Sequence, residues 1–432
     1  MVPAAPADPL DLLADAGLAR RDGALVSGTV PLEAIAAAVG TPAFVYNADV
    51  IRARYRRLAA ALAPLPHRIC YAVKANGTLA VLRVLRDLGA GADIVSGGEL
   101  ERVLAAGYAP AHVVFSGVAK SGAELARALE AGVGRVNVES REELERLAAL
   151  ASRHGRRVRV ALRVNPDVTT DTHPYISTGR RGDKFGLPLD QVEAAADVAR
   201  AHPSLELAGL AMHIGSQILE VEPFATAVER LLGLAHEVRR RGADTLRTLD
   251  IGGGLGVRYA SGPELEPEEY ADAIVPLLRG SGFEVEVEPG RYLVGPAGVL
   301  LTRVEYRKHS GGKEFVLVDA GMNDLLRPSL YRAHHELVAV RETGRGAVTA
   351  DVVGPVCESG DFLARDRALP DVAAGDLLAV LGAGAYGAVM GSNYNARPRP
   401  PEVIVEDGRW WVARPREAIR DLFRSERLTP DA

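Results

Sequence analysis

The sequence predicts an α/β chain: a (β/α)8 TIM-like barrel followed by a second, mostly antiparallel β-domain. Three observations carry that expectation. From residue 43 to residue 290, short apolar runs alternate with helix-like stretches, eight runs with seven such stretches between them. After residue 295 the texture changes to short β-branched runs between Gly, Pro and Asp turns. Side chains capable of chemistry also gather where the barrel strands end, the face on which such barrels carry their sites. A large open doubly wound sheet is the competing arrangement for the first pattern.

The expected organisation is an N-terminal segment over 1–42 packing with the β-domain, a barrel over 43–295, and a β-domain over 296–432. The 432 residues suit two or three domains. Ala24–Val26 reads as a short strand and Ala48–Leu62 as a helix entering the barrel. The barrel strands are expected at Arg68–Val73, Ala92–Val95, His112–Phe115, Arg135–Val138, Val158–Val164, Leu207–Met212, Thr248–Ile251 and Phe283–Val287. Helices between them include Leu79–Leu88, Gly98–Ala106, Ser140–His154 and Pro223–Arg241. The longest stretch poor in structure signals is Asn165–Pro188, and long loops in compact domains are often functional. The β-domain strands are expected at Val299–Tyr306, Phe315–Asp319, Val348–Val353, Leu377–Leu381, Glu402–Val405 and Trp410–Val412.

Composition bounds the function. Apolar residues make up 47% and charged residues 25%, as in ordinary globular proteins. A net charge of −5 gives no global reason to expect nucleic-acid or membrane-surface binding. No run of 18 apolar residues occurs, and no basic residue precedes Arg20, so neither a membrane span nor a targeting signal is expected. The two cysteines, Cys70 and Cys357, form neither a metal cluster nor a disulfide framework. No metal is expected, and a reducing cytoplasm is the expected compartment.

Four stretches end barrel strands with useful groups. Tyr71-Ala-Val-Lys74-Ala-Asn76 supplies an amine, which burial in a barrel mouth would hold neutral; Ala72 and Cys70 would share its inward face. His213-Ile-Gly-Ser216-Gln217 supplies an aromatic plate and a hydroxyl. Gly252-Gly253-Gly254-Leu-Gly256 exposes backbone amides, and barrels commonly bind phosphate near the last two strands. Glu288-Pro-Gly290-Arg291-Tyr292 supplies a carboxylate. Taken singly, these are a solvated lysine, a core histidine, a tight turn and a rim ion pair. Taken together, an amine, a plate, a phosphate cradle and a carboxylate are the parts that hold pyridoxal 5'-phosphate.

In the β-domain, Cys357-Glu358 sits among Pro, Gly and acids, a poor core context that leaves Cys357 as a plausible proton donor. Arg327 and Arg291 suit bidentate carboxylate binding or are surface charges, and Tyr331 lies four residues beyond Arg327. Gly382-Ala-Gly384-Ala-Tyr386-Gly387 has dinucleotide-fingerprint spacing, but no helix or βαβ unit follows, so that reading is rejected. His334-His335 lacks metal-ligand spacing and reads as structural.

In this order, these stretches resemble the fold-type III pyridoxal-phosphate decarboxylases, most nearly the branch acting on diaminopimelate. Ser96–Leu100, His173–Gly179, Lys184–Gly186, Asp319–Tyr331 and Gly354–Asp361 extend the likeness across nearly the whole chain after residue 40. The resemblance implies that Lys74 carries the cofactor and that His213 stacks on its ring. It implies phosphate contacts at Ser216, Gly253, Gly254, Gly290 and Tyr386, and Glu288 as partner of the ring nitrogen. It places Arg291, Arg327, Tyr331, Glu358 and Tyr386 at the substrate, Arg291 also at the cofactor, and makes Cys357 the proton donor. The activity implied is decarboxylation of meso-2,6-diaminopimelate to L-lysine and CO2, the last step of lysine biosynthesis, by a cytoplasmic homodimer whose active sites are shared across the interface. Decarboxylases of ornithine, arginine, carboxynorspermidine or a carrier-bound amino acid are the near alternatives. An alanine-type racemase pairs the ring nitrogen with Arg, and non-catalytic carriers have the barrel alone, so Glu288 and the β-domain argue against both.

Overall fold

The structure, a computed structural model, describes residues 9–169, 179, 182–260, 262, 264–342 and 344–429. It divides into two compact units, one of Arg52–Val257 with Pro263–Leu293 and one of Met1–Ile51, Arg258–Gly262 and Val294–Ala432.

The first unit is a closed barrel of eight parallel strands. They run over His67–Ala72, Gly91–Ile94, Val113–Phe115, Arg135–Val138, Val158–Arg163, Leu205–Ala211, Thr248–Asp250 and Glu284–Val287. The ring closes where Val285, Glu286 and Val287 of the last strand pair with His67, Arg68 and Ile69 of the first. The open-sheet alternative is thereby excluded. Among the described residues, seven α-helices connect the strands: Leu79–Asp87, Gly97–Ala105, Gly122–Ala131, Arg141–Arg153, Val192–Ala201, Glu222–Arg240 and Pro267–Leu278. Their starts are written locally. Ser96, Ser121 and Ser140 each accept the N–H of a glutamate three residues on, and Ser121 with Glu124 completes a reciprocal capping box. The helix over Arg141–Arg153 buries Leu144, Leu147, Ala148 and Ala151 at helical spacing, which seats that face on the sheet.

The second unit holds a nine-stranded sheet, mostly antiparallel, with two parallel pairs. The six expected runs are all strands, the first lengthened to Gly298–Ser310. Three further strands join them: Ala43–Asn47, Leu337–Ala339 and Phe362–Pro370. Ala43–Asn47, fully buried, pairs with both Gly298–Ser310 and Glu402–Glu406. Phe362–Pro370 escapes pattern reading because the pairing slips in register along it and Asp366 has φ 47°, so its alternation is broken. A small sheet of Leu18–Arg21, Ala24–Ser27 and Val30–Pro31 accompanies the N-terminal helices. Leu12, Leu13, Leu25, Leu32 and Ile35 share one core with Val299, Leu301, Val338, Leu381 and Val403. Among the described residues no helix is long and apolar enough to cross a membrane.

Candidate active site

At the rim of the barrel the first strand ends at Ala72, and Lys74 lies in the tight turn Val73–Ala75 that follows. Its ammonium is 2.5 Å from Asp93 Oδ2, on the second strand, and the Lys74 side chain is 34% exposed. Lys74 is therefore ion-paired rather than desolvated, a correction to the expectation that burial alone would prepare the amine. Cys70 and Ala72 are buried as alternation requires. Burial, with Glu286 and Asp250, pushes the Cys70 thiol well above its ordinary value, so that cysteine is inert.

His213 follows the sixth strand. Its Nδ1 accepts the Gly253 N–H at 3.2 Å, which leaves the proton of a neutral ring on Nε2. Burial first, then Arg163 and Lys74, push the imidazole well below its usual range. The ring is thus neutral and fixed in rotation. The glycine run explains itself sterically. A Cβ on Gly253 would lie 2.1 Å from the Glu288 carbonyl oxygen, and one on Gly254, at φ 117°, 2.7 Å from that of Gly215. The Gly253 amide, one of the expected phosphate contacts, is engaged by His213. Ser216 Oγ receives the Arg291 guanidinium at 3.1 Å, and Arg291 is buried. Gly290 packs on the Lys74 turn: its Cβ would meet that of Ala75 at 3.0 Å.

The barrel interior below this rim is polar, which the sequence did not reveal. Arg135 and Asn137 share one face of the fourth strand, and Glu286 lies in the eighth, with Glu288 just beyond its end. Arg135 donates to Asp250 Oδ2 at 2.8 Å and pairs with Glu286. Asn137 Nδ2 donates to Asp250 Oδ2 at 3.1 Å, and Ser116 Oγ donates to Glu288 Oε1 at 3.3 Å. Burial first, then the charges of Asp250 and Asp93, hold the Glu288 carboxyl well above its ordinary value. Asp250 is likewise raised by burial. Asp250 and Glu286 share the one guanidinium of Arg135, while Glu288 lies beside Asp250 without it.

Lys74, Asp93, His213 and Glu288 thus converge with a backbone cradle at Gly254 and Gly290. The donor set fits pyridoxal phosphate: an amine, an anion site and a carboxyl that a ring cation would ionise. The loop after the fifth strand is tied down near its end. Gly186 N–H donates to Glu139 Oε2 at 2.8 Å, and Arg163 holds Glu139 Oε1 at 2.5 Å. The expected motif over 173–178 lies outside the described residues.

In the second unit, Arg327 opens a short helix to Tyr331, with Pro328 in its first turn where a missing N–H costs nothing. Arg327 is 5% exposed, which rules out a surface charge. Cys357 is exposed, and its N–H donates to Asn395 Oδ1 at 2.8 Å. Asp361 clamps the same loop by accepting the N–H groups of Val356 and Met322, each at 2.6 Å. Glu358 hydrogen-bonds Tyr394, whose hydroxyl it raises. Tyr386 has φ 55° in the glycine loop that follows Leu377–Val380. A Cβ on Gly384 would come 1.9 Å from the Val294 carbonyl oxygen. A single turn, Ala388–Met390, follows that loop, so the rejection of a dinucleotide helix holds. Asp93, Arg135 and Asn137 escaped the sequence reading because they sit inside strands taken as apolar.

Residues 48–295 match the model of the pyridoxal-binding domain of pyridoxal-dependent decarboxylases. A diaminopimelate decarboxylase of Pseudomonas aeruginosa is 52% identical over 95% of this chain and 98% of its own. The crystal structure of diaminopimelate decarboxylase from Helicobacter pylori complexed with L-lysine is similar with a TM-score of 0.88 and 40% identity, covering 91% of this chain and 98% of that one. The lysine/ornithine decarboxylase of Vibrio vulnificus complexed with putrescine stands at a TM-score of 0.76 and 25% identity, over 87% and 96% of the two chains.

Proposed function

The chain belongs to the pyridoxal-dependent decarboxylases, and we propose that within this family it converts meso-2,6-diaminopimelate to L-lysine and CO2, as the last step of lysine biosynthesis. The observation that carries the substrate is the near full-length likeness to diaminopimelate decarboxylases, set against the fainter likeness to the lysine/ornithine enzyme.

Pyridoxal phosphate, when bound, supplies the electron sink for the bonding pair left behind by CO2. The residues of the chain do the rest. Lys74 would carry the cofactor, and Asp93 Oδ2, 2.5 Å from Nζ, orients the amine. Gly254, Gly290, Ser216, Arg291 and Tyr386 hold the phosphate. His213, neutral and fixed by Gly253, lays a flat face without adding charge. Glu288, with Asp250 as its neighbour, would partner the ring nitrogen. Arg291, Arg327 and Tyr331 would bind the distal carboxylate, and Glu358 the distal ammonium. A substrate lacking either distal group leaves these polar side chains unpaired, which is the basis of rejection.

The protein works as a homodimer in the cytoplasm, and the partner subunit's Cys357 protonates Cα after CO2 departs. Release of CO2 matched mole for mole by L-lysine, from meso-diaminopimelate and the cofactor-loaded protein, is the expected result. Inert diaminopimelate sinks the reading, and faster turnover of ornithine or arginine transfers the protein to the other branch. For the shared site, inactive Lys74→Ala and Cys357→Ala chains, dissociated and remixed, are expected to regain up to about a quarter of wild-type activity, as random pairing makes one intact site in half the dimers. Mixtures that stay inactive while wild-type controls recover contradict a shared site.

A further inference from the structure

His334-His335, set aside as structural on its spacing, leads to a positioning device in the second unit. His335 is 0% exposed. Its Nδ1 lies 2.8 Å from the Leu381 carbonyl oxygen, and its Nε2 lies 2.8 Å from Arg327 Nη1. A carbonyl only accepts and a guanidinium only donates, so both roles are fixed: Nδ1–H donates to Leu381, and Nε2 accepts from Arg327. The Arg327 guanidinium carbon also lies 4.5 Å from the centre of the Tyr259 ring, and that ring meets His335 edge-on at 5.2 Å. From the other side, Arg367 Nη1 donates to the His335 carbonyl oxygen at 2.8 Å. The bond from His335 takes one N–H of the fork and sets the plane in which the others point, while Tyr259 backs that plane through a cation–π contact.

We propose that His335, seconded by Tyr259, is a positioning residue that sets the orientation of Arg327 and so tunes recognition of the distal carboxylate. This rests on the reading of Arg327 as a substrate ligand. Lysine cannot replace Arg327 in such a device, because only a planar fork is oriented by one of its own bonds.

The test compares His335→Phe, which keeps a flat ring but removes the acceptor, with His335→Gln, which retains both an acceptor and a donor. Both are assayed as holoenzyme alongside Arg327→Ala. His335→Phe is expected to raise KM for meso-diaminopimelate by roughly tenfold or more, the worth of one hydrogen bond to a charged group. The cofactor absorbance and kcat at saturation should stay near wild type, and His335→Gln should restore most of KM. An unchanged KM in His335→Phe while Arg327→Ala raises it overturns this inference and leaves the substrate reading standing. An unchanged KM in Arg327→Ala overturns the substrate reading itself. Loss of kcat and of thermal stability to the same extent in Phe and Gln variants shows a packing role only, and overturns the inference too.

Discussion

Lys74→Ala is expected to lower decarboxylation by roughly four orders of magnitude, the scale seen when a group that acts on the reacting centre is removed. The amine is placed rather than merely present: it sits one turn beyond the first barrel strand, 2.5 Å from Asp93 Oδ2. Alanine there removes the attachment point and strands Asp93, which is fully buried and loses its cation. The protein should therefore lose the long-wavelength absorbance of a lysine-attached cofactor as well as turnover. Retention of that band with unaltered kcat contradicts the assignment.

Glu288→Gln is expected to reduce kcat by roughly a hundredfold or more while leaving cofactor retention close to normal, because the lost charge matters most as the carbanion forms. It also carries a pH signature in the cofactor-free protein. Burial first, then Asp250 and Asp93, hold the Glu288 carboxyl well above the ordinary 4.5. Below 4.5 both folded and unfolded chains keep this proton, and no stability is lost through it. As pH rises beyond that point, the unfolded chain releases the proton and the folded chain retains it, so folding stability falls until the folded carboxyl also ionises. Glutamine does not titrate. The thermal midpoint of Glu288→Gln should therefore fall less steeply with rising pH than that of wild type, and equal slopes contradict a buried, proton-holding Glu288.

The barrel was legible because strands covered on both faces read as unbroken apolar runs, and parallel strands need helices between them. Lys74, His213 and Glu288 were legible because strand ends are where a barrel exposes chemistry. The polar interior was not. Phe283–Val287 alternates Glu and Val, which ordinarily means that glutamates face water. Here Glu286 is buried with Arg135 and Asp250, while Val285 and Val287 occupy the opposite face. Only closure of the ring brings Arg135 and Asp250, 115 positions apart, into contact, and no local pattern encodes that. The same holds for His335, which reads as structural in the sequence but meets Arg327 and the carbonyl of Leu381. Ala43–Asn47 looks like a prelude to the barrel because a helix follows it, yet its hydrogen bonds go to Gly298–Ser310 and Glu402–Glu406.

Borohydride reduction of the native holoenzyme, followed by peptide mapping, tests most directly whether the barrel rim is the cofactor site. Reduction fixes pyridoxal phosphate to whichever amine carries it. The tryptic peptide containing Lys74 should bear the added mass, in one copy per chain, and meso-diaminopimelate added before reduction should lower that labelling. Label on Lys120, Lys184 or any other amine, with the Lys74 peptide unmodified, contradicts the account.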